Sequence, residues 1–163
     1  MKNIFCIIIL SLLFSLSVFA DFEVGMDAYE QGDYAVALKE FKNLAKQGDA
    51  AGQVGLGLMY HDGKGVTQDY EEAAKWFRLA ADQGYARAQY NLGYMYQKGL
   101  GVTFNPVISL MWINIAAINK YEKAKETLSY IISEMTSIET GKNIAHANRL
   151  AHQCIKNNYK DCS

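Results

Sequence analysis

Between residues 50 and 121 the apolar positions fall at helical spacing, in runs of about a dozen residues separated by glycine-rich turns. Leu56, Met59 and Tyr60 share one helical face, and Leu92, Met95 and Tyr96 repeat that face later. These runs predict helices over Ala50–His61 and Ala86–Gln97. A second helix after each is predicted from about Asp69 and from Asn105-Pro106. Asp69 and Asn105 are good N-cap residues, and Pro106 suits the first helical position because its missing N–H is not needed there. Glu71 and Glu72 favour the positive end of the helix dipole. Trp76, Phe77, Ala80 and Ala81 make the apolar face of that helix, and Gln83-Gly84 supplies its stop.

The pattern is a repeat. Aligning Ala50–Tyr85 with Ala86–Tyr121 matches Gly57 with Gly93, Tyr60 with Tyr96, Gly63 with Gly99, Gly65 with Gly101, Val66 with Val102 and Trp76 with Trp112. Fourteen of the thirty-six positions are identical, where average composition would give about two. Gly57 and Gly93 stand inside predicted helices, where glycine costs ~1 kcal/mol relative to alanine. A repeated cost at one place predicts a packing reason, a close approach of the partner helix. The Gly-x-Gly-Val segment is predicted to turn the chain with glycine at positive φ.

Upstream, Phe22–Asp49 reads as a shortened copy that lacks this insertion and turns at Gly32-Asp33, because Tyr34, Ala37, Phe41, Ala45 and Gly48 stand 36 residues before Tyr70, Ala73, Phe77, Ala81 and Gly84. Downstream, Glu122–Met135 is predicted helical. Thr136 with Glu139 predicts a capping box for a last helix reaching about Ile155, with Ile144, Ala147, Leu150, Ala151 and Cys154 inward. Lys142, Asn143, Asn148 and Arg149 would give this end a polar outer face. Val107, Ile108, Leu110 and Met111 make the helix after Pro106 unusually apolar, which predicts that the C-terminal pair buries it. The expected fold is all-α: a right-handed solenoid of stacked antiparallel helix pairs, about eight helices. Its units are 21–49, 50–85, 86–121, and a C-terminal capping pair with tail over 122–163.

The first twenty residues change the picture of where the chain works. Lys2, the apolar run from Ile4 to Phe19, and Val18-Phe19-Ala20 read as a signal peptide cut after Ala20. The run is short for a spanning helix and Asp21 follows at once, so no stable membrane insertion is expected after cleavage. The expected location is the periplasm or outside the cell. Without Lys2 the chain has 15 basic against 17 acidic residues. No basic stripe suggests nucleic acid as a partner. Cys154 and Cys162 remain, and in an oxidising compartment two neighbouring cysteines pair, so a disulfide clasping a helix end to its tail is expected.

Ala86-Arg87-Ala88-Gln89-Tyr90-Asn91-Leu92-Gly93-Tyr94-Met95-Tyr96, followed by Gly99-x-Gly101-Val102, resembles the Sel-one-like repeat, a subclass of the tetratricopeptide repeat. The unit at 50–85 matches it more fully, through Asp69-Tyr70, Ala73-Ala74-Lys75-Trp76-Phe77 and Ala80-Ala81-x-x-Gly84. The first unit is similar to an ordinary tetratricopeptide. In 86–121 the second helix departs from the pattern, with Ser109-Leu110 for Ala73-Ala74 and Ile118-Asn119-Lys120 for Asp82-Gln83-Gly84. The resemblance implies an adaptor or scaffold, often in envelope processes or host contact, with no common catalytic residue and no cofactor. It also implies a concave groove built from the first helices. Its positions here are Phe22, Met26, Tyr29, Val54, Leu58, His61, Arg87, Tyr90, Tyr94 and Gln97. A groove this apolar and aromatic suits an extended peptide or a partner helix; it could also receive a second copy of the chain.

Candidate chemistry is sparse. There is no Gly-x-Ser-x-Gly or His-Glu-x-x-His. Some exported members of the family are β-lactamase-like or penicillin-binding, which is the enzymatic alternative, but no serine here precedes a lysine by three residues. His146 and His152 are six apart and share no ligand spacing, so no metal site is expected. His61-Asp62 is the one titratable pair expected near the groove.

Overall fold

The computed structural model describes residues 21–133, 138–160 and 162. Among the described residues, helix α1 covers 21–31. It is followed by α2 (Tyr34–Lys46), α3 (Ala50–Asp62), α4 (Tyr70–Ala81), α5 (Ala86–Lys98), α6 (Pro106–Ile118), α7 (Glu122–Ser133) and α8 (Ile138–Lys156). No strand occurs among the described residues. The expected signal segment, the end of the helix at Met135 and the cap at Thr136 lie outside the described residues, as does the side chain of Glu139.

The helix ends follow local chemistry. Asp33, Asp49 and Asp69 each accept a hydrogen bond from the backbone N–H three residues on, at 3.2, 2.7 and 2.9 Å. Asn105 accepts from the N–H groups of Val107 and Ile108, with Pro106 opening α6. Helices α3 and α5 stop at Gly63 and Gly99, both left-handed at φ 67°, where a side chain would cost ~1–2 kcal/mol. Lys120 stands where the earlier units place Gly48 and Gly84, and keeps the same left-handed backbone at φ 67°.

Mid-helix glycines let the two helices of a unit touch. A Cβ on Gly57 would lie 2.7 Å from the Phe77 ring, and one on Gly93 would lie 3.0 Å from the Ser109 carbonyl oxygen and 2.8 Å from Ile113. The loops join successive units. A Cβ on Gly101 would fall 2.1 Å from the Tyr70 carbonyl oxygen, and one on Gly65 would fall 3.0 Å from the Tyr34 carbonyl oxygen. Each Gly-x-Gly-Val loop therefore seats on the start of the preceding unit's second helix. Phe41, Phe77 and Trp112 are buried between units, each aromatic ring contributing about 1.5–3 kcal/mol or more by removal from water.

Helix α6 is the hub. Leu110, Met111, Trp112, Ile113 and Ile115 bury nearly its whole circumference, because α5, α7 and α8 all pack against it. The expected burial by the C-terminal segment holds, but the last two helices do not form a pair like the earlier ones. The main partner of both is α6, and Asn114 on α6 donates to Asn148 on α8 at 2.8 Å. The Cys154–Cys162 disulfide then turns the tail back, with Cα atoms 5.1 Å apart. Arg78 of α4 donates to the Cys162 carbonyl at 3.4 Å and to the Tyr96 hydroxyl at 2.8 Å. Asn119 donates to Gln89 at 2.9 Å and to the Tyr159 hydroxyl at 3.1 Å, and buried Gln89 donates to the Ala81 carbonyl at 3.2 Å. A tail at the C-terminus thus holds the second unit as well as the third.

Candidate partner-binding site

Side chains from α3, α4, α5 and α7 enclose a cleft of about 320 Å³, lined by Leu58, His61, Asp62, Phe77, Tyr90, Asn91, Tyr94, Met95 and Lys123. Helical spacing brings Leu58, His61 and Asp62 to one end of α3, and Tyr90, Asn91 and Tyr94 to the facing side of α5. Gly55 lies so near Phe41 that a Cβ would meet the ring at 2.5 Å, whereas Asn91, 36 residues on, carries a full side chain beside Phe77.

Of the residues expected to form the groove, Leu58, His61, Tyr90 and Tyr94 line this cleft together. Phe22, Met26 and Tyr29 pack half-buried against Phe41, Leu56 and Met59 in the first unit's core. Arg87 is half-buried and Gln97 is exposed, both away from the cleft wall. Val54 must be corrected: it is 1% exposed and packs with Ala73, Phe77 and Leu92, so it has no surface to offer a partner. Asp62, expected near the groove as His61's partner, lines the cleft too, while Asn91 and Lys123 enter the site without having been expected.

The tyrosines are held in place. Tyr90 packs against Tyr121 with ring centroids 5.4 Å apart, and Lys123 lies 5.3 Å above its ring. Tyr94 is 38% exposed, with His61 edge-on at 6.4 Å and Lys98 6.0 Å above it. At the rim, Tyr29 donates to Asp62 at 2.6 Å, His61 Nδ1 lies 2.7 Å from the same carboxylate, and Lys64 is 3.6 Å away. Partial burial opposes ionisation of Asp62. The hydrogen bonds from Tyr29 and His61 and the nearby positive charge outweigh it, and hold this carboxyl below the usual carboxylate range. Burial, reinforced by the Asp62 hydrogen bond, pushes the Tyr29 phenol up.

This arrangement offers apolar area, aromatic faces and a few fixed polar tips. A His–Asp pair can move a proton, but the cleft lining contains no serine, threonine or cysteine for it to activate. Among the described residues no three His, Cys, Asp or Glu side chains are grouped to hold a metal. No helix among them is long and apolar enough to cross a membrane.

A family model of the Sel1 repeat matches residues 50–85 and 86–121. The crystal structure of a protective antigen present in uropathogenic Escherichia coli strains, which displays an SLR fold, superposes with a TM-score of 0.76 at 29% sequence identity, covering 89% of this chain and 31% of that one. A Sel1 repeat protein from Oxalobacter formigenes superposes with a TM-score of 0.65 at 30% identity, covering 79% of this chain and 53% of that one. The chain therefore spans between about a third and a half of these relatives. No curated protein sequence matches it significantly. Sel1 repeats are typical of protein–protein interaction scaffolds and are generally non-catalytic. Residues 50–121 of this chain are therefore two Sel1 repeats, set in the fold of the Sel1-like repeat proteins.

Proposed function

We propose that the protein is an exported scaffold that captures a protein or peptide partner in its concave groove, in the periplasm or outside the cell. The observation that carries this reading is the cleft. It gathers Leu58, Phe77, Tyr90, Tyr94 and Met95 around a few fixed polar groups on rigid helices. Aromatic side chains held rigidly lose little entropy on binding and supply large contact areas. The apolar run from Ile4 to Phe19 supports export, and the Cys154–Cys162 disulfide suits an oxidising compartment. Tyr94→Ala should abolish capture of envelope proteins by the purified chain. Leu79→Ala, at a residue on another helix that is 48% exposed, should leave capture unchanged. Equal recovery with both variants would remove the groove as the binding face.

A further inference from the structure

The first and last helices of the stack carry an opposite excess of charge. Residues 21–38 hold five carboxylates and no lysine or arginine, while residues 138–163 hold four lysines or arginines against two carboxylate side chains, Glu139 and Asp161. Glu23, Asp27 and Glu30 form one exposed stripe on α1, opposite buried Gly25 and Ala28. Lys142, Arg149 and Lys156 form an exposed stripe on α8, opposite buried Ala147, Ala151 and Cys154.

Lysines pair with Glu40, Asp62, Glu72 and Glu122, but among the described residues no ion pair involves either stripe. Helix dipoles favour Lys156, in the last turn of α8, but not the whole of either stripe. Glu30 lies in the last turn of α1 and Lys142 near the start of α8, the ends where the dipole favours the opposite charge.

We propose that the outer face of α1 in one copy docks on the outer face of α8 in another, joining copies end to end. This goes beyond the groove reading, because it uses no residue of the cleft. The stripes match in sign, and Val24, 52% exposed one turn before Asp27, gives the acidic face an apolar contact. By helical rise the described part of α1 is about 16 Å long and α8 about 28 Å, so one face can lie along the other. Such a contact is heterologous: each copy keeps a free acidic end and a free basic end, so assembly runs past the dimer into a chain or a ring. Contacts of this kind weaken with salt.

The test is sedimentation equilibrium on the mature protein with its disulfide intact. In low salt the average mass should rise with concentration beyond that of a dimer. It should fall to the monomer in about 0.5 M NaCl, where the screening length is roughly 4 Å. Asp27→Lys with Glu30→Lys should be monomeric, as should Arg149→Glu with Lys156→Glu, each with unchanged helicity. An equimolar mixture of the two variants should assemble again, because both junctions regain opposite charges. A monomer at every concentration in low salt would overturn the proposal, as would a mixture that stays monomeric. Loss of assembly on Tyr94→Ala, with the charge variants unaffected, would also overturn it and move self-contact to the groove.

Discussion

The same substitution should act in opposite directions at two glycines of this chain. Alanine is preferred over glycine in a helix by about 1 kcal/mol, at position 57 as at position 141. At Gly141 a Cβ meets nothing within 4 Å, so Gly141→Ala should stabilise by close to that full amount. At Gly57 the added Cβ would lie 2.7 Å from Phe77 Cε1 and 2.8 Å from Cδ1, against 3.4 Å for ordinary contact. The ring would have to retreat by about 0.7 Å, and Phe77 is 1% exposed among Ala73, Leu92 and Met95. Overpacking of a filled core costs about 1–3 kcal/mol. Subtracting the helical preference leaves a net loss of roughly 0–2 kcal/mol for Gly57→Ala. Urea unfolding followed by circular dichroism at 222 nm reads both variants on one scale. Gly57→Ala with Phe77→Leu should lose less than the two single changes added, since the smaller side chain makes room for the methyl group. A Gly57→Ala protein more stable than the parent would refute the claim that this glycine exists for contact.

Lys120→Gly should raise stability by up to about 1 kcal/mol, by removing a side chain from a left-handed backbone at φ 67°; an unchanged thermal midpoint would count against strain at that turn. Cys154→Ser with Cys162→Ser should cost about 2.5 kcal/mol in the chain-entropy model for so short a loop, and should speed amide exchange at Asn119 and Gln89, which the tail holds through Tyr159. Asp62 has its folded pKa below its unfolded one, so its contribution is present above the unfolded value of about 3.9 and is lost as pH falls through the folded one. Tyr29→Phe should therefore lower stability at pH 7 and have a much smaller effect once the carboxyl is protonated. Equal loss at both pH values would show that the phenol acts by packing alone.

Much of this structure can be read from spacing. Leu56, Met59 and Tyr60 recur 36 residues later, and Gly57 and Gly93 announce close approach. Asp69 and Asn105 mark helix starts through interactions within three residues. What spacing does not carry is the long-range register. Tyr29 reaches Asp62 across 33 positions, and Arg78 reaches Cys162 across 84; nothing local in either residue signals its partner. Val54 misled because its groove position came from resemblance, while the structure buries it in the core with Ala73, Phe77 and Leu92. Four members of the cleft were legible as first-helix residues. Asn91 and Lys123 were not, because their places depend on how far α5 stands from α4 and on where α7 closes the groove.

The seating of Gly101 on the Tyr70 backbone has a consequence for how such a chain can change length. The contact spans the boundary between two units and leaves no room for even a methyl group. Removing or adding one residue in the loop would shift the glycine off the carbonyl and put a side chain in its place. Between these units residues can therefore be gained or lost at little cost only in whole units of 36. Between units the length is quantised, and a reader of related chains should find the stack growing by copies rather than by insertions.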